Sequence, residues 1–256
     1  IEEVIIKEIV TEGDQSFRMK LTEIDYPHIS KQYLLEPNES KGVKINFETK
    51  VKKIAYLKGA GDKVAQSIRN IGIAVTEFDV DDLQLERISE FPTLVVGIRA
   101  FNVHKELTFK NKVLWEYVNR GGTIIVQYNT SRGLDSSIIA PYPINLSRDR
   151  VTDEASRVKL LIPGHPILNT PNKISSIDFE GWVQERGLYF ANNWDSHYSA
   201  LLSMNDYGES PKKGSLLVAN YGKGKFIFTG LSFFRELPAG VPGAFRLFAN
   251  LISYGQ

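Results

Sequence analysis

The chain contains no cysteine among its 256 residues. It therefore has no disulfide framework, no thiol nucleophile and no cysteine-ligated zinc site. It also lacks an excess of either charge, because 31 lysines and arginines are balanced by 30 aspartates and glutamates. Charges this evenly balanced give no general attraction toward nucleic acid or an anionic membrane, so we expect no nucleic-acid partner.

Long hydrophobic runs are missing as well. One of the longest, residues 226–234, has about half of the roughly 20 residues that a membrane helix needs. No basic segment followed by an apolar one opens the chain, so we expect neither a signal peptide nor membrane insertion. The first residue is Ile1 rather than Met, which indicates a processed product or an excised domain.

What the chain does have is a regular alternation of strand and helix patterns over residues 51–256. This alternation predicts βαβ units and a parallel sheet. Residues 1–50 have weaker periodicity and predict a β-rich arm or a linker from a preceding domain. The predicted strands are 53–57, 74–78, 93–97, 123–126 and 158–162, with a hairpin of 216–219 and 226–229, and the predicted helices are 64–71, 109–119 and 243–253.

Polar side chains follow the third and fourth predicted strands. Arg99 and Asn102 come after the third, and Gln127, Asn129 and Arg132 come after the fourth. The carboxyl ends of neighbouring parallel strands form the ligand crevice of open α/β sheets. Amide and guanidinium groups there suit the hydroxyls and carboxylates of a sugar or another polyol. The alternative is that these groups cap helices and tie loops together.

Two loops resemble cofactor sites without matching any motif. Residues 59–62, Gly-Ala-Gly-Asp, lack the third glycine of a dinucleotide fingerprint and the lysine of a P-loop. Asp62 as the N-cap of the next helix explains this loop. Asp153 and Glu154 supply oxygen ligands but not the spacing of a calcium loop. We therefore predict no cofactor and no metal site, and leave metal binding at Asp153 and Glu154 open.

Three residues are weak candidates for catalysis. His165 with Glu180 or Glu185 can act as an acid and base pair, and two carboxylates alone can form a glycosidase pair. The alternative is a core histidine and two surface carboxylates. Several aromatic side chains suit either a sugar-stacking surface or the core, namely Tyr189, Phe190, Trp194, Tyr198 and Tyr221.

Several motifs resemble known families. Residues 116–123, followed by a strand and a polar turn, resemble the class I glutamine amidotransferase-like fold, including its ThuA-like branch. Longer motifs are similar to the C-terminal region of large bacterial proteins of the PIG-L (LmbE-like) deacetylase family. These motifs are residues 26–29, 96–102, 127–133, 146–154, 181–190 and 237–244, and the resemblance covers about residues 25–254.

The resemblance implies a flavodoxin-like three-layer α/β sandwich with a mostly parallel central sheet over residues 51–256. It implies no catalysis, because the de-N-acetylase motifs of that family, His-Pro-Asp-Asp and His-x-x-His, are missing. The amidotransferase cysteine is missing too, and Gln127, Tyr128 and Asn129 occupy its region. The family also implies an extracytoplasmic location and an N-terminal deacetylase domain in the same polypeptide as a partner.

The leading hypothesis is a non-catalytic accessory domain that binds carbohydrate or glycoconjugate for a deacetylase. One alternative is a hydrolase that uses His165 with Glu185 or Glu180 on a sugar-derived substrate. Another is a structural module that packs on the deacetylase domain through an apolar patch around residues 233–237. The predicted binding residues are Arg99, Asn102, Gln127, Tyr128, Asn129, Arg132, Trp182 and Arg186.

Overall fold

The computed structural model describes residues 3–256, and the chain divides into two compact units between Ile45 and Asn46. This division lies just before the boundary predicted at residue 50. The first unit consists of three antiparallel strand pairs, β1 with β6, β2 with β3 and β4 with β5. Its strands are β1 Glu3–Lys7, β2 Val10–Glu12, β3 Gln15–Phe17, β4 Met19–Ile24, β5 Gln32–Pro37 and β6 Glu39–Val43.

The second unit alternates strands and helices. Its strands are β7 Lys53–Leu57, β8 Ala74–Phe78, β9 Thr93–Val96, β10 Thr123–Val126, β11 Ile144–Leu146, β12 Lys159–Leu160, β13 Ala191–Trp194, β14 Ser199–Ala200, β15 Leu202–Ser203, β16 Leu216–Tyr221 and β17 Gly224–Thr229. Its helices are α1 Val64–Asn70, α2 Leu85–Ile88, α3 Ala100–Val103, α4 Leu107–Asn119, α5 Phe233–Glu236 and α6 Pro242–Ser253, and short 3-10 turns lie at Val80–Asp82, Ser136–Ile138, Pro166–Leu168 and Ser176–Phe179.

Seven strands form the central sheet in the order β14-β16-β17-β10-β9-β7-β8. The five strands β17, β10, β9, β7 and β8 are parallel to one another, and β16 and β14 add an antiparallel edge. The four strands predicted between residues 53 and 126 are confirmed. The predicted strand 158–162 is much shorter, since only β12 forms and it pairs with β15 outside this sheet.

Helices cover both faces of the sheet. Successive strand residues point to opposite faces, so Ile124 and Val126 lie on one face and Ile125 lies on the other. The first two join the core cluster that contains Leu114 of α4. Helix α6, which begins with Pro242 in its first turn, contacts β9 and β10. The predicted three-layer α/β sandwich with a mostly parallel sheet is confirmed.

Two glycines allow the loops after β7 and β9 to pack against each other. A Cβ atom on Gly59 would lie 2.1 Å from the carbonyl oxygen of Ile98, and one on Gly97 would lie 2.8 Å from the Gly59 nitrogen. Only a residue without a side chain permits this approach. The glycine at position 59 is therefore explained by packing between loops, without a phosphate ligand.

Candidate functional site

The loops after β9 and β10 are joined at the carboxyl edge of the sheet. The Arg99 amide donates a 2.8 Å hydrogen bond to the carbonyl oxygen of Tyr128. Asn102 donates from Nδ2 to the Thr130 carbonyl at 3.0 Å, and its Oδ1 accepts from the Thr130 amide at 2.9 Å. The structure thus brings together the two loops that were predicted to line a crevice.

The predicted binding residue Asn129 is fully buried between these loops. Its Oδ1 accepts from the Phe101 amide at 3.1 Å, and its Nδ2 donates to the Gln127 carbonyl at 3.0 Å. Two backbone groups therefore engage both ends of this amide. Asn102 is held in the same way by Thr130, so both asparagines act as braces between loops.

Gln127 belongs to a buried chain of hydrogen bonds. Its Nε2 donates to the hydroxyl oxygen of Tyr56 at 3.2 Å, and that hydroxyl donates to the Asp62 carboxylate at 2.7 Å. Burial, followed by the charge on Asp62, raises the pKa of Tyr56 well above its usual value, so the phenol remains a donor. Asp62 also accepts from the Val64 amide at the start of α1, although Lys63 is the residue at the N-cap itself.

Tyr128 is the centre of an aromatic and charged group that we call the Tyr128 cluster. Its ring stacks on Tyr189, with centroids 6.2 Å apart and planes 12° apart, and lies 5.0 Å from the ring of Phe234. Burial raises the pKa of Tyr128, and the nearby charges of Arg99 and Arg235 oppose that rise. The members of the cluster are Arg99, Tyr128, Gln184, Glu185, Tyr189, Phe234 and Arg235.

One of the two arginines in the cluster is already paired. Arg235 donates from Nε to Glu185 Oε1 at 3.0 Å and from Nη1 to the side chain of Gln184. Its guanidinium group also lies 4.9 Å from the centre of the Phe234 ring. Glu185, a predicted catalytic residue, is thus nearly buried and engaged in an ion pair.

Arg99, the other arginine, carries a charge without a protein counterion. Over residues 3–256, no hydrogen bond or ion pair engages its guanidinium group, although its Nε atom is buried. A charged group that is partly buried and has no counterion favours binding of a ligand of opposite charge. Arg99 is therefore the member of the cluster that is available to bind an anionic group.

The backbone of the cluster is also unusual. Within the described part of the chain, three residues other than glycine have a left-handed backbone, and all three belong to the Tyr128 cluster. They are Arg99, Gln184 and Tyr189, with φ angles of 54°, 67° and 52°. Such conformations are uncommon for residues with side chains and concentrate at functional sites. This clustering supports a functional role for the Tyr128 cluster.

Two predicted binding residues, Trp182 and Arg186, lie in the protein interior. Trp182 is 3% exposed and donates from Nε1 to the Asp178 carbonyl at 3.0 Å. Arg186 donates from Nε and Nη2 to the Ser156 carbonyl at 3.0 and 2.8 Å, and from Nη1 to the Phe179 carbonyl. These contacts hold together segments that are distant in sequence, and they leave the Trp182 ring no open face for a sugar.

The proposed catalytic residues lie at different edges of the sheet. The His165 ring is 5.5 Å from that of Tyr254, whose carbonyl accepts from Thr123 at the start of β10. Glu185 instead pairs with Arg235, just beyond the end of β17. The six residues of β17 span roughly 17 Å, so His165 and Glu185 cannot share a substrate atom. Glu180 and the predicted binding residue Arg132 are exposed.

Sequence reasoning missed Glu236, a fully buried carboxylic acid beside the Tyr128 cluster. Its Oε2 accepts from the Val183 amide at 2.9 Å, while its Oε1 has no partner among residues 3–256. Burial raises the pKa of Glu236 to about 8, against the opposing effects of the Val183 amide and of Arg186. Its place in an apolar segment directly after β17 was the signal that could have identified it.

No metal cluster or membrane span is found within the described chain. Among residues 3–256, no group of three or more histidine, aspartate or glutamate side chains is arranged to hold a metal ion. The acidic pair at 153 and 154 instead neighbours Asp206, which accepts from the amides of Thr152 and Asp153. Within the same residues, no helix is both long enough and apolar enough to cross a membrane.

Comparison with solved structures shows the class of fold. A cytoplasmic protein from Salmonella typhimurium superposes with a TM-score of 0.52 at 13% identity, and the match covers 99% of this chain and 96% of that protein. A second cytoplasmic protein from Salmonella typhimurium gives a TM-score of 0.51 at 13% identity, and the match covers 98% of this chain and 95% of that protein. A GMP synthase-like protein from Thermoplasma acidophilum gives 0.51 at 10% identity, covering 80% of this chain and 96% of its own. No family model and no curated protein matches the sequence. The chain has a class I amidotransferase-like fold.

Proposed function

We propose that this chain is a non-catalytic binding domain on an amidotransferase-like fold, and that its Tyr128 cluster binds a carbohydrate or glycoconjugate that carries an anionic group. The unpaired guanidinium group of Arg99 beside the stacked rings of Tyr128 and Tyr189 is the observation that carries the proposal. A guanidinium group binds carboxylate or phosphate with fixed geometry, and an aromatic edge provides apolar contact to a sugar ring.

The internal hydrogen bonds restrict which residues can take part. Asn102 and Asn129 are engaged by backbone groups, and Trp182 and Arg186 are buried. Recognition therefore falls to Arg99 and to the half-buried rings of Tyr189 and Phe234, which pack against the buried Tyr128. Gln127, Tyr128 and Asn129 supply no activated nucleophile at the end of β10, because within residues 3–256 none of them is hydrogen-bonded to a histidine. Binding without catalysis is the function that this arrangement supports.

The resemblance to PIG-L proteins supplies the biological setting of the proposal. In that setting the chain serves an extracytoplasmic deacetylase domain in the same polypeptide and presents its glycan substrate. The acidic group that Arg99 binds then lies on a sugar neighbouring the one that is deacetylated. This setting rests on the resemblance alone, whereas the anionic ligand rests on the geometry of Arg99.

Isothermal titration calorimetry with a matched pair of ligands tests the proposal. Trigalacturonic acid should bind the protein, and neutral galactotriose should bind at least tenfold more weakly, because only the acid offers carboxylates to Arg99. Arg99→Met should weaken binding of the acid by about 10- to 100-fold, the effect of a charged hydrogen bond. Arg120→Met, at an exposed arginine that precedes β10 at the opposite edge of the sheet, is the control and should bind like the wild type. Equal binding by Arg99→Met and wild type would contradict the proposal.

The second candidate function is that of a structural module that packs on a deacetylase domain. The observation that favours it lies in the first unit and not at residues 233–237. Phe233 and Leu237 are buried, so the apolar patch expected there does not exist. On one face of the β4–β5 pair, however, Leu21 and Leu35 lie opposite each other and are 61% and 59% exposed. Exposed apolar faces of this kind mark interaction surfaces.

Co-expression with a PIG-L-type deacetylase domain tests the packing role. The double substitution Leu21→Asp and Leu35→Asp should abolish co-purification and leave affinity for trigalacturonic acid unchanged. Lys20→Asp, on the opposite face of β4, is the matched control and should preserve co-purification. Co-purification of the double variant at wild-type yield would exclude this surface.

A further inference from the structure

A groove on both sides of Trp194 lies apart from the Tyr128 cluster. One side is a cavity of about 550 Å³ lined by Asp149, Asn192 and the segment 209–213. The other side is a cavity of about 180 Å³ lined by Pro143, Asn145, Asn193 and Asp195. Trp194 lines both cavities, so the two adjoin at this residue, and we call them together the Trp194 groove. The larger cavity falls within the range of small-molecule sites, roughly 300–1,000 Å³.

The local strand pairing explains why this groove is polar. Strands β11 and β13 pair antiparallel, with Asn145 opposite Asn193 and Ile144 opposite Trp194. The pairing is irregular between Asn145 and Leu146, which leaves Asn192 unpaired as an extra residue on β13. A bulge of this kind redirects side chains at a strand edge. Asn145, Asn192 and Asn193 are exposed, and together with the half-buried Trp194 they line the two cavities.

These side chains are unused by the fold. Within residues 3–256, the amides of Asn145, Asn192 and Asn193 and the Nε1 atom of Trp194 make no hydrogen bond, which contrasts with the saturated amides of Asn102 and Asn129. One side of the half-buried Trp194 packs against the hydrophobic core. Trp194 is therefore fixed by the core while part of its surface lines both cavities.

We propose that the Trp194 groove is a second binding site, and that it takes a neutral oligosaccharide. A primary amide offers both donors and an acceptor, which matches the paired hydroxyls of a sugar. The indole face provides the apolar platform for one pyranose ring. A peptide ligand is disfavoured, because the groove has a single aromatic residue and lacks further apolar pockets for side chains.

The charges around the groove agree with a neutral ligand. Lys212 forms an ion pair with Glu209, so the pair adds little net field. Lys213 and Asp149 carry opposite charges on the lining of the larger cavity, and Asp195 on the smaller cavity accepts a hydrogen bond from the His197 amide. This balance differs from the Tyr128 cluster, where Arg99 is unpaired. The two sites thus differ in the charge of the ligand that each one binds. A single oligosaccharide that contains acidic and neutral sugars can therefore bind at both sites.

Calorimetry and tryptophan fluorescence with neutral hexasaccharides of glucose and of N-acetylglucosamine test this site. At least one hexasaccharide should bind, and Trp194→Ala should weaken it by about tenfold or more, the expected loss of an aromatic platform. Trp194→Phe should restore part of the affinity. Because Trp194 contributes to packing, the exposed double variant Asn145→Ala with Asn193→Ala provides a second test and should weaken binding without changing the melting temperature.

The outcomes separate this site from the Tyr128 cluster. Arg99→Met should bind the neutral hexasaccharide like the wild type, and Trp194→Ala should bind trigalacturonic acid like the wild type. Absence of hexasaccharide binding would overturn the proposal, as would binding that survives both the Trp194 and the asparagine substitutions. Binding of peptides but not of hexasaccharides at Trp194 would also overturn it.

Discussion

Arg186→Met should lower the free energy of unfolding by about 3 kcal/mol or more, because it leaves two buried carbonyl oxygens without donors. Arg186 supplies three hydrogen bonds to Ser156 and Phe179, and its side chain is 4% exposed. For a chain of this size, that loss corresponds to a fall in melting temperature of roughly 6–12 °C. Thermal unfolding followed by circular dichroism measures it directly.

The same experiment separates a structural role for Arg186 from the binding role that the sequence suggested. Arg186→Lys should recover little stability, since an ammonium group cannot reproduce the planar fork that reaches both carbonyls. Arg132→Met, at an exposed arginine, should change stability by no more than about 0.5 kcal/mol. If Arg186→Met melted like the wild type but lost ligand affinity, the binding role would be correct.

The central sheet could be predicted because four of its parallel strands, β7, β9, β10 and β17, are buried on both faces. Such strands are continuous apolar runs, and residues 53–57 and 123–126 show this in the sequence. Residues 133–215 could not be predicted in the same way. Their structure depends on long-range contacts, such as that of Asn172 with Asn250 at 2.9 Å, which no local pattern encodes.

The position of the two loops at the carboxyl edge of the sheet could be predicted, but the contacts of their side chains could not. Sequence position placed Asn129 at the carboxyl edge of the sheet, yet it does not tell whether an amide faces the crevice or spans two loops. Arg235 was missed although it follows β17, because residues 233–237 were considered only as an apolar patch. The left-handed backbone of Gln184 and Tyr189 is equally hidden, since neither is a residue type that predicts it.

Stability should also fall as the pH rises from about 4.5 to about 8, and Glu236→Gln should remove this dependence. The pKa of Glu236 is raised to about 8 in the folded protein by burial, whereas the unfolded chain has the ordinary value of 4.5. Between these values the folded state keeps a proton that the unfolded state releases. The contribution of this group is therefore complete below pH 4.5 and is lost as the pH rises through 8, at up to about 1.4 kcal/mol per pH unit.

Urea unfolding of both proteins at pH 5, 6.5, 8 and 9 measures the effect. Other shifted groups, such as His165 with its lowered pKa and Asp206, are common to both proteins and cancel in the difference. The glutamine can still accept from the Val183 amide through its oxygen, so Glu236→Gln should unfold like the wild type at pH 5 and be clearly more stable at pH 9. Glu180→Gln, at an exposed carboxylate, should follow the wild-type curve throughout. If the free energy of unfolding changed with pH in the same way for the wild type and Glu236→Gln, the prediction would be wrong. Glu236 would then be ionised in the folded protein, and Arg186 would supply the compensating charge.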